Sequence, residues 1–282
     1  MEIRKVFVLG AGAMGNGIAQ VTAQAGYEVT MEDISAEFIK KGLASIDKSL
    51  SRGVQKGTIS EQDKTSIMSR ISTTTDLSSA KDADLAIEAI PEDLELKLKA
   101  FRELDKICPE HTILASNTSS LPICAMAAAT KRQPKVIGIH FMNPVPLMKG
   151  VEIIKARHTS EETVKISKDF VESLGKEPGE ALDYAGFIVT RILDAMMNEA
   201  IYCVMDGNKP EEVDKIMRLC CNFPMGPLEL CDLVGAEIVL HGLETLQEEL
   251  GDRLRPVPLL KAMVRAGDLG RKTGRGFYDY TK

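Results

Sequence analysis

Four consecutive apolar residues, Val6-Phe7-Val8-Leu9, open the hydrophobic pattern of the chain and read as a short buried strand. Ile18, Val21, Thr22 and Ala25 then recur at helical spacing up to Gly26, and residues 27–31 read as a second strand. A long helical pattern follows through Phe38, Leu43, Ile46 and Leu50, loosened by Gly53 and Gly57. Ser60-Glu61-Gln62-Asp63 resembles a capping box that opens another helix. Residues 36–69 therefore read as a helical hairpin inserted between strands. Further strands are expected at 71–74, 85–89, 112–115, 136–139 and 151–154, with a helix marked by Leu94, Leu98, Phe101, Leu104 and Ile107. Such alternation predicts an α/β sheet, mostly parallel and covered by helices. Beyond Phe187 no good strand run follows until the last residues, and helical spacing dominates. The pattern thus divides the chain at residue 184, into an α/β domain over 1–184 and an all-α domain over 185–282. A length of 282 residues agrees with two domains.

Composition removes several function classes. No run approaches the roughly 18 apolar residues of a membrane span, and the glycines at 10, 12, 15 and 17 break up the N-terminal apolar stretch that would otherwise suggest a signal peptide. The formal net charge is −6 and Trp is absent, which argues against a nucleic-acid partner. Six Cys form no C-x-x-C pair and only four His are present, so no metal site is expected. The thiols are expected to be buried and reduced, in a cytoplasmic protein. Lys40, Lys41, Lys48, Arg52, Lys56 and Lys64 make the hairpin basic, and a solvated face accounts for most of them.

The first strand runs into Gly10-Ala11-Gly12-Ala13-Met14-Gly15, a G-x-G-x-x-G that opens a helix. Eighteen residues after Gly15 stands Asp33, at the end of the second strand. Strand, glycine turn, helix and acid together predict a Rossmann-type dinucleotide site. The first glycine makes the tight turn, the second lets backbone approach a pyrophosphate, and the third lets helix pack on strand. Asp33, or less favourably Glu32, would hydrogen-bond the adenosine ribose. No Arg follows at once, so a 2′-phosphate would meet repulsion, and the cofactor expected is NAD rather than NADP.

Ligands in such folds sit beyond the carboxyl ends of the strands. Two of those ends carry Ser116-Asn117-Thr118-Ser119-Ser120 and His140-Phe141-Met142-Asn143-Pro144-Val145-Pro146. A histidine there suits acid/base work, and Glu152, twelve residues on in the next strand, could bind the imidazole and fix its tautomer. His111, His158 and His241 lack such context.

These stretches, with GFIVTRIL (186–193), PMGPLEL (224–230) and GRKTGRGFYDY (270–280), make the chain resemble the short-chain L-3-hydroxyacyl-CoA dehydrogenases along its whole length, above all the bacterial 3-hydroxybutyryl-CoA dehydrogenases. The resemblance implies that His140 is the general acid/base, Glu152 its partner, and Ser119 a donor to the substrate oxygen. It implies that Gly10, Gly12, Met14, Gly15 and Asp33 hold the adenine half of NAD, and that Glu92, Lys97, Asn143 and Lys272 lie near the cofactor. Ser49, Arg52 and Lys56 match positions that grip coenzyme A. Thr190 stands where the family has a substrate-contacting Asn, with a shorter reach than the amide. Acetoacetyl-CoA and 3-hydroxybutyryl-CoA are the implied substrates, in butyrate or fatty-acid metabolism, and a homodimer or higher homo-oligomer the implied assembly. A dehydrogenase of a non-CoA hydroxy acid and a catalytically idle, crystallin-like relative are the alternatives.

Overall fold

A computed structural model describes residues 2–281, in two units divided between Asp183 and Tyr184. The first unit contains strands β1 (Lys5–Leu9), β2 (Glu28–Glu32), β3 (Ile71–Thr74), β4 (Leu85–Glu88), β5 (Ile113–Ser116), β6 (Val136–Phe141), β7 (Gly150–Lys155) and β8 (Glu177–Leu182). Its helices are α1 (Ala13–Gln24), α2 (Ala36–Gln55), α3 (Glu61–Ser69), α4 (Leu94–Ile107), α5 (Ile123–Ala128) and α6 (Glu161–Ser173). The strands form one sheet in the order β3-β2-β1-β4-β5-β6-β7-β8. Chain order reverses between β1 and β4, which leaves a crevice beyond their carboxyl ends. β6 and β7 pair antiparallel and the other neighbours parallel, which makes the sheet mostly parallel, as the alternation predicts.

Central strands are apolar on both faces because helices cover both. Val6, Val8, Leu85 and Ile87 enter one cluster with Ile18 of α1 and Ile46 and Leu50 of α2. The inserted hairpin is α2 and α3. Ser60 and Asp63 form the expected capping box, and Lys64 ties the two helices by reaching Asp47 at 2.6 Å and Ser51 Oγ at 2.8 Å.

The second unit is helical, with α7 (Val189–Met205), α8 (Pro210–Cys221), α9 (Pro227–Val234), α10 (Ala236–Leu250) and α11 (Pro258–Ala266). Two buried aspartates organise it. Asp214 of α8 accepts the N–H groups of Leu228 and Glu229, both at 2.9 Å, and the Tyr278 hydroxyl at 2.7 Å. Asp232 of α9 accepts the N–H groups of Phe277 at 2.9 Å and Tyr278 at 3.0 Å and the Tyr280 hydroxyl at 3.1 Å. A Cβ on Gly226 would stand 2.2 Å from the Asp214 carboxyl carbon, and one on Gly276 would stand 2.0 Å from Asp232 Oδ1. Those two contacts explain Gly226 of PMGPLEL and Gly276 of GRGFYDY. A third acid, Asp194 of α7, is buried against Gly242 of α10, and burial pushes its carboxyl up to about 7.

One expectation needs correction. Only Cys108 and Cys231 are buried, and burial raises the Cys108 thiol to about 11. Cys124, Cys203, Cys220 and Cys221 are exposed, because they fall on the outward faces of α5, α7 and α8. Among the described residues no helix is long and apolar enough to cross a membrane, and no cluster of His, Cys, Asp and Glu could hold a metal.

Candidate active site

The glycine turn is built as its spacing predicts. Gly10 follows β1 with φ +106°, and a Cβ there would strike the Ala89 carbonyl oxygen at 2.6 Å. Gly15 passes over the same turn, its would-be Cβ only 1.8 Å from the Gly10 oxygen, whereas nothing lies within 4 Å of the Gly12 position. Gly12 is thus the open face, where a ligand can approach the backbone. The first turns of α2, α3 and α4 are capped by Ser35, Ser60 and Asp93, but α1 has no side-chain cap and no acid in its first turn. Its free N–H groups and positive dipole end suit a pyrophosphate. Asp33 accepts the Ala11 N–H at 2.9 Å, which locks the acid to the turn. These features fit the adenine half of a dinucleotide. Beside it Glu32 is buried, one of its oxygens has no partner, and burial, then Asp33 and Asp76, push it up to about 7. Asp33 is the better ribose acceptor because it is partly exposed.

The candidate acid/base group lies at the ends of β5, β6 and β7. The antiparallel register places His140 directly opposite Glu152, so twelve residues of separation become a neighbouring pair. Glu152 Oε2 lies 2.7 Å from His140 Nδ1, and Ser119 Oγ lies 3.0 Å from Nε2. A carboxylate only accepts, so Nδ1 carries the hydrogen and Nε2 is left to exchange a proton. Both His140 and Glu152 are buried, which strengthens the pair electrostatically.

A Ser–His–Glu chain also has the connectivity of a hydrolytic triad. Here the Ser119 N–H donates to Glu92 Oε1 at 3.0 Å and the Ser120 N–H at 3.3 Å. The donors that an acyl-transfer oxyanion would need are already turned onto a carboxylate. The arrangement fits proton transfer to a substrate oxygen.

Comparison with known proteins gives the same direction. Residues 5–183 match the model of the 3-hydroxyacyl-CoA dehydrogenase NAD binding domain, and residues 186–280 that of the 3-hydroxyacyl-CoA dehydrogenase C-terminal domain. The chain belongs to the 3-hydroxyacyl-CoA dehydrogenase family. It is 50% identical to a probable 3-hydroxybutyryl-CoA dehydrogenase of Bacillus subtilis, over 99% of this chain and 98% of that protein. A 3-hydroxybutyryl-CoA dehydrogenase of Bradyrhizobium diazoefficiens is 48% identical over 99% of this chain and 96% of its own. The crystal structure of (S)-3-hydroxybutyryl-CoA dehydrogenase PaaH1 from Ralstonia eutropha superposes with a TM-score of 0.95 at 44% identity, covering both chains fully.

The remaining positions of this 3-hydroxyacyl-CoA dehydrogenase family member fall in several places. Ser49, Arg52 and Lys56 share one face at the end of α2, where Arg52 and Lys56 are exposed while Lys41 and Lys64 are paired with Glu37 and Asp47. Met14 is partly buried against the core of the first unit, and Asn143 is exposed before a cis peptide bond to Pro144. Lys97, expected near the cofactor, lies inside the fold. It is 1% exposed and enclosed by Glu88 Oε1 at 2.5 Å, the Ile90 carbonyl at 3.1 Å and Glu92 Oε2 at 3.3 Å, so it reaches a ligand only through Glu92. Burial raises Glu92, but Lys97, Thr118 and the Ser119 N–H outweigh it and hold that carboxyl below its usual range. Thr190 and Lys272 belong to the second unit, Thr190 in the first turn of α7 and Lys272 in ion contact with Glu237.

Sequence reasoning singled out 116–120 as a strand end but gave Ser116, Asn117 and Thr118 no separate role, and it missed Glu88. Asn117 Oδ1 accepts the Phe141 N–H at 2.9 Å and carries the β5–β6 pairing one step further. The signal available was a polar cluster directly after two apolar strands, but its partners are set by pairing between strands.

Proposed function

We propose that this chain interconverts acetoacetyl-CoA and 3-hydroxybutyryl-CoA with NAD(H). The observation that carries this reading is the Ser119–His140–Glu152 relay, at the carboxyl edge of the sheet that also bears the glycine cradle. The names of the bacterial relatives support the substrate class. Bound nicotinamide supplies the hydride to C3 in reduction and accepts it in oxidation. His140 gives a proton from Nε2 to the C3 oxygen in reduction and takes it back in oxidation. Ser119 Oγ donates a hydrogen bond to that oxygen, and Thr190 is assigned a second one. Glu152 fixes the imidazole tautomer and stabilises the imidazolium as charge develops.

Gly10, Gly12, Met14 and Gly15 are assigned to the pyrophosphate and Asp33 to the ribose. Glu92, Asn143 and Lys272 are assigned to the rest of the cofactor, with Lys97 acting behind Glu92. Ser49, Arg52 and Lys56 would clamp the phosphates of coenzyme A. The protein would work in the cytoplasm as a homodimer formed through the second unit, whose Ile188, Ile192, Ile216, Leu219 and Ile238 are exposed apolar side chains.

One assay tests the reading: oxidation of NADH with acetoacetyl-CoA, with acetoacetate, or with no acceptor. Turnover of acetoacetyl-CoA alone is expected. Preference for acetoacetate would favour a non-CoA hydroxy-acid dehydrogenase, and inertness with both would favour the idle relative.

A further inference from the structure

The polar network behind Ser119 has more members than the chemistry just assigned requires. Register aligns Glu32, Leu9, Glu88 and Ser116 in one row across β2, β1, β4 and β5. Glu88 is the fully buried acid of that row, at 0% exposure. A carboxylate in such a place is unstable unless its lone pairs are filled, and here they are. Oε1 accepts Lys97 Nζ at 2.5 Å and the Ile90 N–H at 2.7 Å, and Oε2 accepts Ser116 Oγ at 2.6 Å.

Each of these contacts leads toward the reactive end of the sheet. Ser116 Oγ in turn accepts the Thr118 N–H at 3.1 Å. Lys97 Nζ reaches Glu92 Oε2 at 3.3 Å. Glu92 Oε1 then gathers the Thr118 hydroxyl at 2.5 Å, the Ser119 N–H at 3.0 Å and the Ser120 N–H at 3.3 Å. Two paths from Glu88, one through Ser116 and one through Lys97 and Glu92, therefore close on the turn that presents Ser119 Oγ to His140 at 3.0 Å.

We propose that Glu88 is a positioning residue for the reaction: it fixes Ser116 and Lys97, and through them holds the 118–120 turn so that Ser119 meets His140 and the substrate oxygen together. Lys97 is the bridge between two acids, one buried and one at the site. Its ammonium pulls Glu92 inward, leaving Oε1 for the turn and keeping that negative oxygen off the C3 oxygen. Without Glu88, Lys97 has only Glu92 as a counter-ion and draws that carboxylate off the turn.

The proposal rests on the assignment of Ser119 to the substrate oxygen, and a double-mutant cycle separates the two. Glu88→Gln keeps the shape and removes the charge. It is expected to lower kcat by about 10- to 100-fold, the loss that misplacing a catalytic group by about an ångström brings. The KM for acetoacetyl-CoA should stay within about twofold, since Glu88 is fully buried and the CoA phosphates are assigned to α2. Ser119→Ala should lower kcat by itself. In the Ser119→Ala background, Glu88→Gln should cost almost nothing further, because it acts through the missing hydroxyl.

Should Glu88→Gln fail to fold, Glu88→Asp enters the same cycle, as it keeps the charge but draws the carboxylate back from Ser116 and Lys97. If Glu88→Gln or its substitute keeps the parental kcat, or costs the same factor with and without the Ser119 hydroxyl, Glu88 does not position Ser119 and the proposal is overturned. If Ser119→Ala alone leaves kcat unchanged, the assignment of Ser119 fails first and takes the proposal with it.

Discussion

At the scale of single residues, the proposed chemistry rests on the His140–Glu152 pair, which an antiparallel register brings within one hydrogen bond. His140→Gln keeps a hydrogen-bonding side chain that cannot trade a proton near neutrality. Its kcat should fall by about 10²- to 10⁴-fold, the usual worth of a positioned acid/base, while NADH binding measured by fluorescence stays nearly parental. A variant that retains most of its turnover would remove His140 from the mechanism. The role proposed for Asp33 carries a second expectation. Its carboxylate is pinned by the Ala11 N–H and has Glu32 beside it, so a 2′-phosphate would bring further negative charge to two acids. NADH should be preferred to NADPH by at least about tenfold in kcat/KM, a difference of about 1.4 kcal/mol. Equal use of both cofactors would contradict this.

At the scale of elements, what could be read in advance followed local pattern, and what could not depended on pairing across the sheet. The G-x-G-x-x-G turn, the capping box of α3 and the inserted hairpin are set by residues close together in sequence. β8 escaped notice for a physical reason. Its Glu-Pro-Gly-Glu core looks like a loop, yet it forms the edge of the sheet, where Pro178 pairs with Val151 while its nitrogen faces outward and no ladder hydrogen bond is lost. Glu88 drew no notice inside the expected strand 85–89, because its partners Ser116 and Lys97 lie on β5 and α4. Ser119, His140 and Glu152 were legible as residue types at strand ends, but their distances were not. α2 offers the test at this scale. Ser49, Arg52 and Lys56 recur on one helical face, and exposed cations there should hold phosphate groups in a salt-sensitive way. Changing Arg52 and Lys56 to Ala should raise the KM for acetoacetyl-CoA several-fold, leave kcat within about twofold, and flatten the dependence of KM on salt. An unchanged KM would return both to the solvated surface.

At the scale of the whole molecule, stability and assembly are the measurable quantities. Asp194 is pushed by burial from 3.8 to about 7. Between those values the folded state binds a proton that the unfolded state has released, so stability falls as pH rises from about 4 to about 7, by up to about 4 kcal/mol. Asp194→Asn removes that dependence. The gap between variant and parent in melting temperature should widen across this window in the variant's favour, and parallel curves would refute the shift. Association is read by light scattering, where a dimer of the 30.8 kDa chain is expected at micromolar concentration and a monomer would count against the second unit as an interface. The two aspartates of that unit have a further consequence for biosynthesis. Asp232 waits for a partner 45 residues downstream, and Asp214 for one 64 residues downstream. On a growing chain the first unit holds all the strands of its sheet before α7 is made, whereas the second cannot bury its aspartates until the segment around Tyr278 has left the ribosome. The order of synthesis therefore gives the nucleotide-binding half a head start, and leaves the helical half open to chaperones and proteases until its final loop closes over the acids.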